Sequence, residues 1–191
     1  MNNKVQVHFG GVSEIVGSSD IGLLNLLNED ETRELVVTCD KQMMYQFALR
    51  TQPVAGVDRL LPEVLYEVIR NQEGMHFEID INDIVSGEYS AVLMNQDTLE
   101  EIPMRASDAI LLSIIGTLPV YADAELMRRQ GVAYHPQSSG MSLPVNIISD
   151  QMLQTAFDKA IKDENYELAS LLRDEMKRRG NRQHPMKEQK S

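Results

Sequence analysis

The sequence predicts an α+β fold: a mixed, largely antiparallel sheet with packed helices, followed by a C-terminal α-helical hairpin. Three observations lead there. Apolar residues alternate with a period of two around Val5, Val7 and Phe9, and again through Met75, Phe77, Ile79 and Ile81. Segments with helical spacing are interleaved with these, but without the regular strand–helix repeat of a parallel α/β sheet. Near the C-terminus, Leu153, Ala156, Phe157, Ala160 and Ile161 form an i, i+3, i+4, i+7, i+8 stripe, and Leu168, Ala169, Leu172 and Met176 repeat it.

Taken in order, the first strand carries Val5, Val7 and Phe9 on one face and Lys4, Gln6 and His8 on the other. Ile21 to Leu27 and Glu34 to Cys39 read as two further strands joined by the polar turn NEDET. Lys41 to Arg50 switches to helical spacing, with Met43, Met44, Phe47 and Ala48 as one stripe. Leu60 to Asn71 is a second helix, with Pro62 in its first turn and Leu61, Leu65, Val68 and Ile69 as its buried face. A strand from Met75 to Ile81, a hairpin partner from Gly87 to Met94 and a third strand from Leu99 to Met104 follow. The chain then turns into a helix from about Ala106 to Thr117, a short strand Pro119 to Tyr121 and a helix Asp123 to Gln130.

Charge divides the chain. Residues 1–132 hold 9 Lys and Arg against 21 Asp and Glu, whereas residues 133–191 hold 9 against 8. The expected organisation is a main domain over 1–132, an uncharged linker over 133–149, a helical hairpin over 150–179 and a basic, disordered tail over 180–191. The linker AYHPQSSGMSLPVNIIS has no Asp, Glu, Lys or Arg, and its Val145 to Ile148 stretch could lie against a surface. An acidic surface disfavours phosphate backbones, which are ordinarily held by Lys and Arg, and with no Trp and 4 Phe there are few stacking platforms for bases. The basic run KRRGNR complements a helix C-terminus, or could touch nucleic acid or the acidic domain of a neighbouring chain.

The single cysteine, Cys39, excludes an internal disulfide framework, and it reads as a small buried residue. His8, His76, His135 and His184 lack metal-ligand spacing. The apolar stretch Ala109 to Val120 is too short and too interrupted for a membrane span, and the start MNNKVQVHFGG lacks a secretory pattern. The expectation is a cytoplasmic protein with no membrane segment.

Chemistry concentrates at IPMRASDAILLS, where Arg105, Ser107 and Asp108 sit at a strand-to-helix junction. One reading is structural: Ser107 caps the helix, Asp108 favours the positive end of its dipole, and Arg105 pairs with Asp108. The other is chemical: the helix N-terminus binds phosphate, Arg105 clamps it, and Asp108 holds a divalent cation, Mg²⁺ or Mn²⁺. Glu78 and Asp80, on one strand face with His76 and with Asp83 beyond, are further candidate metal ligands. Such a row is otherwise the wet face of an antiparallel strand.

Two resemblances sharpen these readings. With MRASDAILLS followed by PVYAD, the region from Val5 to Val132 resembles the bifunctional nuclease domain family, which usually has proline where Ala106 stands. Family members also carry a Thr-His-Asp run before the second helix. Here the stretch is PVAGVDRLLPEVL, in which Asp58 matches the aspartate and the Thr and His have no counterpart. The resemblance implies a nuclease acting on RNA or DNA, with Asp108 as metal ligand or base, Arg105 as phosphate clamp, Ser107 as orienting hydroxyl and Asp58 as a second acid. Through ENYELASLLRDEMKRR, the region from Gln151 to Arg179 resembles the UVR motif, with Tyr166, Ala169, Leu172, Arg173 and Asp174 at the motif's usual positions. It implies protein–protein contact through Tyr166, Leu168, Leu172, Arg173 and Asp174. A hairpin this small needs a partner for its stripe, such as a second copy in a homo-oligomeric four-helix bundle. The alternative function is therefore a non-catalytic oligomeric adaptor in DNA repair or stress response.

Overall fold

The computed structural model describes residues 3–15, 18–52, 54–71, 75–85, 87–134 and 150–183. Most of the linker, His135, His184 and the last eight residues lie outside the described residues. Eight strands form one sheet: β1 (Lys4–Ile15), β2 (Ser18–Asn28), β3 (Arg33–Asp40), β4 (Phe77–Val85), β5 (Glu88–Asn95), β6 (Glu101–Arg105), β7 (Val120–Asp123) and β8 (Val132–Ala133). Their spatial order is β6-β5-β4-β7-β1-β2-β3-β8, antiparallel throughout except where β4 meets β7. The helices are α1 (Lys41–Thr51), α2 (Leu61–Arg70), α3 (Ala106–Gly116), α4 (Ala124–Gln130), α5 (Asp150–Lys162) and α6 (Tyr166–Gln183). The α+β expectation holds.

The sheet curves around α3, which packs against β3, β4, β5 and β6. This helix can be central because it is apolar nearly all round: Ala109, Ile110, Leu111, Leu112 and even Ser113 are buried. The Ser113 hydroxyl is satisfied by donating to the Ile110 carbonyl at 2.7 Å. In β2, Leu23, Leu24, Leu26 and Leu27 are all buried, so both faces of that strand are covered, with α1 and α5 packed on it. A bulge between Phe9 and Gly11, the latter at a φ of 138° that suits glycine, shifts the β1–β2 register. Phe9 then stacks on Phe47 of α1 with ring centroids 5.2 Å apart. At the end of α3 the backbone approaches α2 so closely that a Cβ on Gly116 would overlap the Tyr66 ring.

Helix starts follow their capping residues. Asp40 accepts from the Met43 amide at 2.7 Å, and Asp123 accepts from the Leu126 amide at 2.9 Å. Asp123→Ala is expected to cost about 1 kcal/mol, read as a lower midpoint in urea unfolding with an unchanged slope.

Several expectations need correction. Leu61, Leu65 and Val68 of α2 are exposed, Leu61 at 78%, and with Val64 they make an outward apolar stripe; only Tyr66 and Ile69 pack on the core. The helix is amphipathic as the spacing indicates, but the α1–α2 connection and the Arg50–Glu63 ion pair (2.6 Å) hold it with the stripe outward. Ala48 is likewise exposed, leaving Met43 and Phe47 as the buried face of α1. α6 continues through Gln183 rather than stopping near residue 179. The hairpin stripe does find a partner, but in the same chain. Leu153, Ala156, Ala160, Ala169 and Leu172 belong to the main hydrophobic core, and Lys159 reaches Asp20 of β2 at 2.6 Å.

Asp80 is not on a wet face. It is 3% exposed, bonded to Lys4 from β1, and Lys4 also reaches Glu78 at 3.1 Å. Burial pushes the Asp80 carboxyl above the usual carboxylate range despite the Lys4 ammonium beside it. The folded chain therefore keeps a proton that the unfolded chain loses above about pH 4. Asp80 stabilises the fold most below that value, and the contribution is lost as pH rises through the raised folded value. In urea unfolding as a function of pH, the difference between wild type and Asp80→Asn is expected to shift against the wild type across this window.

Candidate active site at the start of helix α3

A cavity of about 320 Å³ lies where the ends of β3 and β6 and the start of β5 come together beside α5. Its polar wall includes Arg105 and Ser107, with Thr38 and Tyr89. Ile21, Val37, Ala106 and Ala156 supply apolar surface. Three carboxylates, Asp20, Asp40 and Glu88, also line it. Asp20 faces Lys159, which holds its carboxyl below the usual range, and Asp40 caps α1.

β6 runs straight into α3, so Arg105 occupies the N-cap position in an extended conformation, and no side chain caps the helix. This corrects the expected role of Ser107, which lies inside the first turn, too late to cap it. Ala106 and Ser107, the first two residues of α3, form part of the cavity wall, and a helix leaves its first N–H groups without partners in its own backbone. Arg105 donates to both oxygens of Asp108, from Nε at 2.6 Å and from a terminal nitrogen at 3.2 Å. The hydrogen bond to Asp108, with the charges of Asp40 and Glu88 behind it, raises the guanidinium pKa. The arrangement is a forked cation beside an uncapped helix N-terminus, a combination suited to phosphate or another oxyanion.

The other candidates lie elsewhere. Asp58 sits in an exposed 3₁₀ turn, Val57–Arg59, with Arg59 3.9 Å away. Glu78 and Asp80 are on β4, paired with Lys4 of β1 and outside the cavity. No cluster of three or more His, Cys, Asp or Glu side chains placed to hold a metal occurs among the described residues. Asp108 already spends both oxygens on Arg105, so the carboxylates do not form a preassembled metal cage. Cys39, in the cavity wall, has its thiol pushed up to about 12 by burial and by Asp40, which disfavours the thiolate. Of the hairpin residues, Tyr166, Arg173 and Asp174 are exposed and Leu168 is half-buried, while Leu172 is fully buried.

Sequence reasoning missed Tyr89, Asp40, Asp20 and the α5 contribution. Tyr89 is 6% exposed, and its hydroxyl has no hydrogen-bond partner. In the strand pattern it is one more apolar-facing residue, and nothing there marks it as a cavity group.

Fold and site together define an α+β domain with an uncapped helix end at a cavity. A family model described as the bifunctional nuclease domain matches residues 25–135, more than half of the chain, and the chain belongs to that family. The match begins within β2 and ends before the hairpin. A search of the curated proteins finds no significant match. No helix among the described residues is long and apolar enough to cross a membrane.

Proposed function

We propose that the chain hydrolyses phosphodiesters of RNA or DNA at the cavity beside α3. The observation that carries this reading is the uncapped N-terminus of α3 at the cavity wall next to Arg105. The scissile phosphate would sit on the first-turn amides with Arg105 clamping its oxygens, and the Ser107 hydroxyl would orient it. Asp108, which is bonded to Arg105 but is not part of the cavity wall, would accept the proton of the attacking water at the cavity rim once Arg105 turns to the phosphate. Water adds to phosphorus, one P–O bond breaks, and the leaving oxygen takes a proton. Hydrogen-bond donors aimed at developing negative charge are the main source of acceleration in such sites. Because the carboxylates form no metal cage, no step is assigned to a metal. A divalent ion that takes part would be held largely by substrate phosphate oxygens and one or two carboxylates.

The test is cleavage of labelled single-stranded RNA and DNA by purified protein with Mg²⁺, Mn²⁺ or EDTA, beside Asp108→Ala. Cutting that disappears in a folded Asp108→Ala variant supports the assignment; cutting that persists in it places the chemistry elsewhere. Loss in EDTA alone reports that the reaction needs a divalent ion.

A second reading, an oligomeric adaptor, is favoured by the outward stripe of Leu61, Val64, Leu65 and Val68. Contact through the exposed Tyr166, Arg173 and Asp174 of the UVR-like hairpin would belong to this reading. If the α2 stripe joins copies of the chain, sedimentation velocity of Leu65→Glu should show a smaller species than wild type. Equal sedimentation of the two would remove the stripe from any such role.

A further inference from the structure

We propose that two copies of the chain meet through α2, which pairs antiparallel with α2 of the second copy across a two-fold axis. The pair rests on the adaptor reading of the α2 stripe and gives it a partner and a geometry. Leu61, Val64, Leu65 and Val68 are all exposed, at the i, i+3, i+4, i+7 spacing of one helix face. The helix is fixed with that face outward. Its inner side is taken by Tyr66, whose ring stands where a Cβ on Gly116 of α3 would sit, and by Ile69, which packs on the core. Turning the stripe inward would pull both from their places.

Symmetry argues for a second copy as the occupant. The four positions are symmetric about the midpoint between Val64 and Leu65. A second α2 laid antiparallel therefore puts the stripe on itself, with Leu61 of one copy over Val68 of the other and Val64 over Leu65. A two-fold interface demands this kind of self-complementary patch. The antiparallel arrangement also sets the two helix dipoles against each other favourably.

Charge argues the same way. The chain carries a net charge of −11, so two copies repel over most approaches. The face of α2 is an exception, because each of its carboxylates is matched by an arginine of the same chain. Glu63 pairs with Arg50 at 2.6 Å, Glu67 with Arg70 at 2.7 Å, and Asp58 in the preceding turn lies 3.9 Å from Arg59. Two acidic molecules can meet here without opposing unneutralised charge. A basic partner would be drawn instead to the acidic surface elsewhere. A helix of 10 residues covers less than the about 1,600 Å² of a standard interface, so the dimer should depend on concentration.

The experiment uses the full chain in two arms. In sedimentation velocity from low to high micromolar concentration, wild type should pass from monomer towards dimer and Leu65→Glu should stay monomeric. Leu65 is exposed, so the unfolding midpoint of the variant should match wild type and show that only association is lost. In the second arm, Leu61→Cys and Val68→Cys are treated with a short bismaleimide. Mixed together they should give a crosslinked dimer, and each alone far less; wild type, with Cys39 buried, sets the background. Wild type that stays monomeric, or a dimer that Leu65→Glu leaves intact, overturns the proposal. A monomer in which Leu61→Cys resists maleimide also overturns it, and shows that the stripe is covered within the chain. A dimer that Leu65→Glu dissolves but that crosslinks no better in the mixture overturns the antiparallel pair and leaves the adaptor reading standing.

Discussion

Arg105→Ala is expected to lower single-strand cleavage by about 10²- to 10³-fold, the scale seen when one donor to a developing oxyanion is removed. Stability should hardly change. The Arg105–Asp108 pair is largely in solvent, with the Arg105 side chain 66% exposed, and exposed pairs contribute about 0–1 kcal/mol. Arg105→Lys should recover only part of the rate, because an ammonium is a point charge and cannot present the planar fork that grips two oxygens. Initial rates and thermal unfolding of the three proteins check this. If the rate falls only in proportion to a loss of folded protein, Arg105 is a structural residue.

Leu172→Asp is expected to have the largest effect on stability. Leu172 is 0% exposed and belongs to the same core cluster as Leu23, Ile110 and Leu153. Truncating such a leucine costs about 2–5 kcal/mol, and a buried carboxylate without a partner adds to that. The structure also predicts how the loss appears. Because α5 and α6 share the core with the sheet, the main domain should be destabilised together with the hairpin, and α5 should leave the cavity. An independent appendage would instead melt alone, leaving the main-domain transition where it was. Urea unfolding followed by circular dichroism, with cleavage measured on the same sample, separates the two cases.

The sequence made most elements legible because their hydrophobic periods are clean. The alternation of Val5 with Val7 and of Ile79 with Ile81, and the helical spacing of Met43 with Phe47, come from burial on one face. The position of α3 was legible for the opposite reason, since a run such as AILLSII has no polar face to give to solvent. Period alone does not say which way an amphipathic helix turns, and so the α2 stripe was expected inward. Nor does it reveal a residue reaching across strands: Lys4 is distant in sequence from Asp80, and only the β1–β7–β4 order brings them together. Arg105, Ser107 and Asp108 could be singled out because the site is local in sequence. The rest of the cavity could not, because it joins β2, β3, β5 and α5 across more than a hundred residues. The missing cap on α3 is equally invisible in sequence, since Ser107 is a good capping residue two positions too late.

The most direct test of the account is the initial rate of cleavage of a labelled linear single strand by Asp108→Asn against wild type, at matched fractions of folded protein. The exchange keeps the size of the side chain and its hydrogen bonding to Arg105 through one oxygen, while removing the carboxylate that would accept the proton of the attacking water. The account predicts a rate at least 10²-fold below wild type. A rate equal to wild type would contradict it, and would leave the start of α3 as the end of a buried helix.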